Sequence, residues 1–316
     1  FEICADRRAI SKKFSDGLLH HQGRLKTIQE PSKDSSMINI DLENNFLSII
    51  DYIPSFIDKN GGNHYASQLF KHLVSFFKKS EHSTTKFESI GTGSVILIEN
   101  SLGILTANHV LNQIINDRNN QYYIYISGMT NQNIFKFEET VRIIDNYIQV
   151  QIDQEGDVAF ISIDETKIPR ERFGIELISF TPSKHITGRA TSTFMMIGFP
   201  SNKNQFHKER DLEPYFNAAN IITHKAKYDS TKNQLHWWVN KKDYRVESES
   251  AYIPNAKNFS PQGMSGSPLF QLYITESFPY KIHLVLVGVF TDYKKPELKY
   301  TATILESNRY SIVKNP

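Results

Sequence analysis

A segment of small residues near the C-terminus carries the side chain best suited to covalent chemistry. Residues 262–268 read Gln-Gly-Met-Ser-Gly-Ser-Pro. A loop of this kind can hold the Ser265 hydroxyl clear of the backbone while two amide N–H groups turn toward one point. Acyl transfer needs this arrangement, a nucleophile beside a donor pair for the developing oxyanion. The segment alone is also typical of an ordinary turn, so its chemistry depends on other residues.

Two upstream segments supply a histidine and an aspartate beside strand-like runs. Residues 103–111 read Gly-Ile-Leu-Thr-Ala-Asn-His-Val-Leu and contain His109, whereas Asp157 directly precedes the apolar run 158–163. A serine hydroxyl is a poor nucleophile at neutral pH, so it needs a histidine to take its proton and an acid to orient the imidazole. The chain therefore offers a candidate base, acid and nucleophile in that order.

These three segments resemble those of the trypsin/chymotrypsin-like serine proteases, over roughly residues 86 to 310. In that family Thr-Ala-x-His carries the general base, Asp-[Ile/Val]-Ala carries the acid, and Gly-x-Ser-Gly-[Gly/Ser]-Pro carries the nucleophile. The segment 194–200, Phe-Met-Met-Ile-Gly-Phe-Pro, is similar to the bacterial branch, which includes glutamyl endopeptidases and high-temperature-requirement proteases. No metal or organic cofactor is implied.

The resemblance implies that His109, Asp157 and Ser265 form a catalytic triad. It also implies that the backbone N–H groups of Gly263 and Ser265 form the oxyanion hole. Asp157 is preferred over its neighbours because it directly precedes Val-Ala-Phe, as in the family pattern. The rival groups nearby in the sequence are the acids Asp153 and Asp164 and the serines Ser260 and Ser267.

The fold class implied is mainly β, with two six-stranded antiparallel β-barrels of chymotrypsin-like type. We expect a protease domain over 86–316, with the first barrel over about 86–165 and the second over about 190–310. A brief helix is predicted after the candidate base, over 110–116. The strands predicted from the pattern are 87–98, 103–107, 122–127, 133–143, 147–152 and 157–163, then 190–198, 217–227, 234–239, 250–253, 267–275, 283–291 and 299–305.

Residues 1–85 are predicted to form a mostly helical N-terminal extension. One helix is indicated by the spacing of Leu42, Phe46, Ile49, Ile50 and Ile53, and Pro54 would end it. A second is indicated by Tyr65, Leu69, Leu73, Phe76 and Phe77. Such an extension would serve as a regulatory or partner-binding module, or would simply cover the barrel surface, and the pattern leaves both open.

Substrate preference is indicated by a few positions around the family's specificity pocket. Phe259 stands six residues before the serine, where a trypsin-type enzyme has an aspartate, and the pocket wall is expected near Thr291 and Asp292. We predict a small or apolar residue at the cleaved position, with a basic residue, attracted by Asp292, as the alternative. Met264 replaces the aspartate that pairs with a new N-terminus in the digestive enzymes, so regulation by a partner or by loop rearrangement is expected instead.

Composition narrows the functional class. The chain has 316 residues, a formal net charge of +2 and one cysteine, Cys4. The near-neutral charge gives no reason to expect a nucleic-acid or membrane partner, and a single cysteine excludes an internal disulfide, which fits a cytoplasmic setting. His20, His21, His64 and His72 lack metal-ligand spacing. A first residue Phe1 suggests a fragment or a processed product.

We therefore expect a serine endopeptidase that works through an acyl-enzyme, acts on protein or peptide substrates and is regulated so that it cuts few of them. The alternative is a catalytically silent protease-fold module that binds peptides or acts as a scaffold in a complex. An esterase could use the same triad, but α/β-hydrolases order it serine, acid, histidine, which is not the order found in this sequence.

Overall fold

A computed structural model describes most of the chain beyond residue 68, together with one short strand before it. The predicted helix residues 42–46 and the predicted pocket residue Phe259 lie outside the described part. The described residues are 49–52, 69–79, 87–98, 101–117, 119–129, 132–144, 147–153, 155–173, 178–180, 189–201, 217–223, 226–238, 244–248, 252–253, 260–274, 282–305 and 311–313.

Strands dominate the described chain. The strands are β1 Ile49–Tyr52, β2 Leu73–Lys79, β3 Phe87–Ile98, β4 Ser101–Ala107, β5 Tyr122–Ile126, β6 Ile134–Lys136, β7 Ile143–Ile144, β8 Tyr147–Ile148, β9 Val150–Asp153, β10 Val158–Ser162, β11 Ile178–Phe180, β12 Arg189–Gly198, β13 Asn217–Thr223, β14 Ala226–Asp229, β15 Gln234–Trp238, β16 Tyr244–Ser248, β17 Tyr252–Ile253, β18 Pro268–Ile274, β19 Ile282–Lys294, β20 Lys299–Ile304 and β21 Ser311–Val313. The α-helices are α1 Asn108–Asn116 and α2 Phe137–Thr140.

The strands form two large sheets. The first runs in the order β21-β9-β10-β4-β3-β2-β5-β6, and β11 adds to β3 in parallel. The second runs in the order β14-β15-β20-β19-β18-β12-β13-β16-β17, and β1 adds to β19. The pairings within both sheets are otherwise antiparallel, so the expected mainly β class is confirmed. Among the described residues, no helix has the length and apolar character needed to cross a membrane.

Three buried apolar clusters hold the sheets together. One lies within the first sheet and includes Val74, and a second lies within the second sheet and includes Trp237. The remaining cluster draws Phe160 from the first sheet and Leu286 from the second, so the two sheets pack against one another. This contact brings the ends of strands from different sheets to one place, where the candidate site lies.

The sheets contain nine and ten strands rather than six each. The predicted strand 133–143 is divided, because β6 ends at Lys136 and the α2 turn follows it directly. Predicted strand 87–98 coincides with β3, and the predicted helix over 110–116 is found as part of α1. The sequence pattern located α1 because its buried residues, Val110, Leu111 and Ile114, lie on one face.

The structure does not support the predicted helices of the N-terminal extension over most of the residues that it describes, although Leu69 and Phe70 are helical. Ile49–Tyr52 forms β1, and Leu73–Lys79 forms β2, which lies between β3 and β5 inside the first sheet. Leu73 and Phe77 join one apolar cluster while Val74 and Phe76 join another. A strand buried on both faces has apolar residues on both of them, so it lacks the alternation of a half-buried strand and its periodicity does not distinguish it from a buried helix. β2 therefore belongs to the sheet although it precedes the predicted domain boundary at 86.

His72, at the start of β2, gives a prediction about acid stability. Its side chain is buried, Nδ1 has no hydrogen-bond partner, and burial, with a smaller effect of the Lys71 charge, lowers its pKa from 6.5 to about 4. The unfolded chain takes up this proton near pH 6.5, so stability is complete above that pH and is lost as the pH falls toward 4. By pH 5 the loss is about 2 kcal/mol.

Urea denaturation of the wild type and of His72→Leu at pH 7 and pH 5 measures this effect. The imidazole is absent from the variant, so we expect its stability to fall less than that of the wild type over the same interval. An identical fall in both proteins would show that His72 is not the group responsible.

Candidate active site

His109 is presented at the junction between a buried strand and a helix. β4 ends at Ala107, which has extended backbone angles, and α1 begins at Asn108. The apolar face of α1, with Val110 and Leu111 buried, fixes the helix against the first sheet. His109 lies in the first turn on the opposite side, and 47% of its side chain is exposed. The sequence therefore holds the backbone of His109 firmly while its imidazole faces the solvent.

Asp157 lies in the turn that enters β10 and contacts His109 directly. The register pairs Val158 with Ala107, which brings the two residues together. Asp157 Oδ2 lies 2.6 Å from His109 Nδ1, and Oδ1 accepts the backbone N–H of His109 at 2.8 Å. The Asp157 carbonyl accepts the backbone N–H of Asn108 at 3.0 Å. These contacts orient the imidazole and leave Nε2 directed away from the acid.

The backbone of the acid-bearing turn is unusual. Asp157 has a φ of 57°, in the left-handed region that asparagine and aspartate tolerate better than most residues. The rival acid Asp153 is buried and accepts the backbone N–H of Gly156 at 2.9 Å, so it shapes the turn. Asp164 instead accepts from the backbone and hydroxyl of Thr166. Neither rival has a hydrogen bond with His109.

The Ser265 segment is a tight loop between residue 260 and β18. Gly263 and Gly266 have φ values of +85° and +90°, which residues with a side chain rarely adopt. Met264 donates its backbone N–H to Pro261, and Ser267 donates its own to Met264. Ser265, at the tip of the loop, is only half-buried. Small residues are needed here because the backbone reverses twice within a few positions.

Hydrogen bonds tie this loop to the first sheet near His109. The backbone N–H of Thr92, in β3, donates to the Ser265 carbonyl at 2.8 Å. Thr106, near the end of β4, donates its hydroxyl to the Thr92 carbonyl at 2.6 Å. A Cβ built on Gly266 would collide with the Thr92 carbonyl and lie 3.0 Å from the Ala107 nitrogen. The serine loop is therefore packed against the strand end that leads into His109.

Thr92 holds the serine loop in place, and the sequence analysis did not identify this role. Its buried hydroxyl donates to the Gly263 carbonyl at 2.9 Å and accepts the backbone N–H of Phe199 at 2.9 Å. Because its backbone N–H also donates to the Ser265 carbonyl, Thr92 alone fixes three points around the serine loop. Its partners are distant in sequence, so no local pattern could have revealed it.

The two predicted oxyanion donors are not used by the protein itself. Within the described part of the chain, the backbone N–H groups of Gly263 and Ser265 have no acceptor, whereas those of Met264, Gly266 and Ser267 are all bonded. Amide donors beside an exposed serine hydroxyl can stabilise a negatively charged oxygen. The structure gives no hydrogen bond between His109 and Ser265, and such bonds are often long before substrate binds.

Two of the predicted pocket residues lie in the described chain, and they differ in exposure. Gly266 donates its backbone N–H to the Phe290 carbonyl at 2.7 Å, so β19 passes directly beside the serine loop. Thr291, the next residue, is buried and its hydroxyl lies 3.4 Å from the Thr301 carbonyl. Asp292 is exposed. The structure thus brings Thr291 and Asp292 close to the loop but not into one polar cluster.

Comparisons with known proteins give weak structural likenesses. The chain matches no protein-family model, and no curated protein matches significantly. An inactive tobacco etch virus protease in complex with substrate is 10% identical, with 77% of this chain and 82% of that chain covered and a TM-score of 0.37. A Glu endopeptidase in complex with MPD is 14% identical, with 75% and 86% covered and a TM-score of 0.38. At these identities and TM-scores, the two likenesses support no inference about the function of this chain.

Proposed function

We propose that this chain is a serine endopeptidase in which Ser265 is the nucleophile, His109 the general base and Asp157 the acid that orients it. The observation that carries the proposal is the pair of hydrogen bonds from His109 to Asp157, at 2.6 Å and 2.8 Å, together with a serine loop that is bonded to Thr92 of β3, the strand next to β4. An oriented imidazole, a half-buried serine hydroxyl and two amide donors that bond no acceptor in the described chain provide each group that acyl transfer needs.

The proposed reaction proceeds through a covalent ester. Ser265 Oγ attacks the scissile carbonyl carbon as His109 Nε2 takes the hydroxyl proton. The carbonyl electron pair moves onto its oxygen, which the N–H groups of Gly263 and Ser265 stabilise. When the intermediate collapses, the C–N bond breaks and His109 gives its proton to the leaving amine. Water, activated in turn by His109, then hydrolyses the ester, releases the acid product and restores Ser265.

The substrate is expected to be an extended peptide. β19 pairs with β18 only as far as Val289, and beyond the serine loop it pairs with β20 alone. Its other edge beside Thr291 is thus available among the described strands for backbone hydrogen bonds to a substrate strand. The buried Thr291 favours a small or apolar side chain at the cleaved position, whereas the exposed Asp292 favours a basic one. We also propose that residues 1–85 have a regulatory role.

The alternative, a catalytically silent protease-fold scaffold, is less well supported. A silent module has no need to keep an imidazole bonded to a carboxylate through two hydrogen bonds, or to leave two amide donors free at one loop. A cysteine-type enzyme is also disfavoured by the residue at position 265, because the single cysteine of the chain is Cys4.

Fluorophosphonate labelling tests the proposal, because this probe reacts with activated serine hydroxyls. We expect the wild type to be labelled at Ser265, as located by mass spectrometry of the peptides, and Ser265→Ala to be unlabelled. Ser267→Ala is the matched control. The Ser267 hydroxyl is fully buried and has no hydrogen-bond partner among the residues that the structure describes, so its removal should leave labelling within a few-fold of the wild type.

Hydrolysis of an unfolded protein substrate completes the test. Cleavage by the wild type and by Ser267→Ala, but not by Ser265→Ala, would establish peptidase activity. Iodoacetamide should leave this activity unchanged, since the nucleophile is a hydroxyl and not a thiol. A full-length chain that is neither labelled nor able to cleave, or one labelled at another serine, would contradict the assignment.

A further inference from the structure

The peptide that precedes the acid is held by a residue of the other sheet. Thr303, in β20, donates its hydroxyl to the carbonyl oxygen of Gly156, the residue before Asp157. The two partners are 147 positions apart in the sequence, and the Thr303 side chain is fully buried. The bond therefore joins the second sheet to the turn that carries the proposed catalytic acid.

Thr303 can approach the turn closely because Gly156 has no side chain. A Cβ on Gly156 would lie 2.5 Å from Asp153 Oδ2 and 2.7 Å from Thr303 Cγ2, distances that real side chains do not tolerate. Asp153 holds the other side of the same residue through the Gly156 N–H. Gly156 is thus bonded at its nitrogen by the first sheet and at its carbonyl oxygen by the second, so both of its flanking peptides have little freedom.

Thr303 itself is supported by a second buried polar group. The next residue, Ile304, exchanges two hydrogen bonds with Asn233: its N–H donates to the Asn233 carbonyl at 3.0 Å, and its carbonyl accepts from Asn233 Nδ2 at 2.8 Å. Asn233 is fully buried with a φ of 52°, and its Oδ1 accepts the hydroxyl of Tyr228 at 2.8 Å. The hydroxyl of Thr303 is therefore presented by a fixed strand end.

The proposed triad is divided between the two sheets, and this makes the bond important. His109 and Asp157 follow and precede strands of the first sheet, whereas Ser265 precedes β18 of the second. Thr92 links the sheets at the nucleophile, and Thr303 links them at the acid. Val158 packs in the apolar cluster between the sheets, but such packing is not directional. Without the second link, the hydrogen bonds given for the Asp157 turn all come from its own sheet, so the turn can shift relative to Ser265.

We infer that Thr303 is a positioning residue: through the Gly156 carbonyl it sets the location of Asp157, and so of the His109 imidazole, relative to Ser265. The inference rests on the proposed function. A misplacement of 1 Å in a catalytic constellation can cost roughly 10²-fold in rate. Because Asp153, Asn108 and His109 still hold the turn, we expect loss of this one bond to lower kcat by about tenfold, within that limit.

The test compares Thr303→Val, which removes the donor and keeps the shape, with Thr303→Ser, which keeps the donor. Valine should lower kcat about tenfold with KM changed less than twofold, and serine should restore most of kcat. Thr140→Val is the matched control. It removes a buried threonine bond to the Lys136 carbonyl, at 2.9 Å and remote from the triad, so it should cost comparable thermal stability without a change in kcat.

A second measurement does not depend on peptidase activity. The proton on His109 Nδ1, bonded to Asp157, gives a far-downfield proton NMR signal, and we expect Thr303→Val to shift or broaden it while Thr303→Ser and Thr140→Val leave it in place. An unchanged signal together with an unchanged kcat in Thr303→Val would overturn the inference. So would equal loss in the valine and serine variants, since the hydroxyl would then not be the cause. A wild type that cleaves nothing refutes the proposed function, whereas the NMR comparison still tests the link.

Discussion

His109→Ala is expected to lower kcat for peptide hydrolysis by about 10⁶-fold, the largest effect of any single change to this chain apart from loss of Ser265. The imidazole is held to Asp157 at 2.6 Å and, in the proposed reaction, handles the proton in every step. Alanine leaves the Ser265 hydroxyl without a base, and at neutral pH it is almost fully protonated. Steady-state kinetics on a fluorogenic peptide that the wild type cleaves would measure the loss.

The control for this change is another histidine of the described chain. His236, in β15, is half-buried and bonds Thr301 at 3.1 Å, so His236→Ala should keep kcat within a few-fold. Residues that act as one unit also give non-additive losses. The double variant His109→Ala/Ser265→Ala should thus be no slower than either single variant. Additive losses, or a His109→Ala enzyme slowed less than a hundredfold, would mean that His109 is not the base.

The parts of the site that could be predicted are those that residues close together in the sequence determine. His109 follows a buried strand and opens a helix, and both elements leave a clear pattern in the sequence. Gly263 and Gly266 indicate a tight turn, and both have the positive φ values that such a turn requires. The contact between His109 and Asp157 follows from the pairing of two strands that the pattern had located.

The parts that could not be predicted depend on residues far apart in the sequence. β2 is buried on both faces, so its apolar spacing fitted a helix as well as a strand. Thr92 and Thr303 are ordinary strand residues by sequence, and their hydroxyls matter only because the second sheet packs against the first. The predicted pocket could not be completed for a similar reason. Thr291 and Asp292 adjoin each other in sequence, yet one is buried and the other exposed.

Thr92 and Thr303 both connect the two sheets close to the candidate site. Each donates to a backbone carbonyl of a glycine, Gly263 beside the nucleophile and Gly156 beside the acid. A glycine carbonyl can be approached closely because no side chain stands next to it. Each link therefore fixes a peptide within two residues of a proposed catalytic residue without occupying that residue's side chain.

Asp157→Asn is expected to lower kcat by about 10⁴-fold although it changes almost nothing in shape. Asp157 Oδ1 accepts the backbone N–H of His109 and Oδ2 lies against Nδ1. A backbone N–H can only donate, so the asparagine carbonyl oxygen must face it, and the NH₂ group then faces Nδ1. Nδ1 becomes an acceptor, the ring proton moves to Nε2, and Nε2 can no longer take the proton of Ser265.

Nitrogen-15 NMR of the His109 ring reports the tautomer directly, and kinetics report its consequence. We expect Asp157→Asn to carry the proton on Nε2 and to retain the thermal stability of the wild type to within a few degrees. Asp164→Asn is the matched control, because within the described part of the chain the Asp164 carboxylate accepts hydrogen bonds from Thr166 and has none with His109, so kcat should change less than threefold. If the asparagine variant kept the proton on Nδ1 and still lost activity, the acid would act by its charge and not by selecting the tautomer. If Asp157→Asn lowered kcat less than tenfold, Asp157 would not be the third member of the triad, because a histidine with the wrong tautomer cannot support the reaction at that rate.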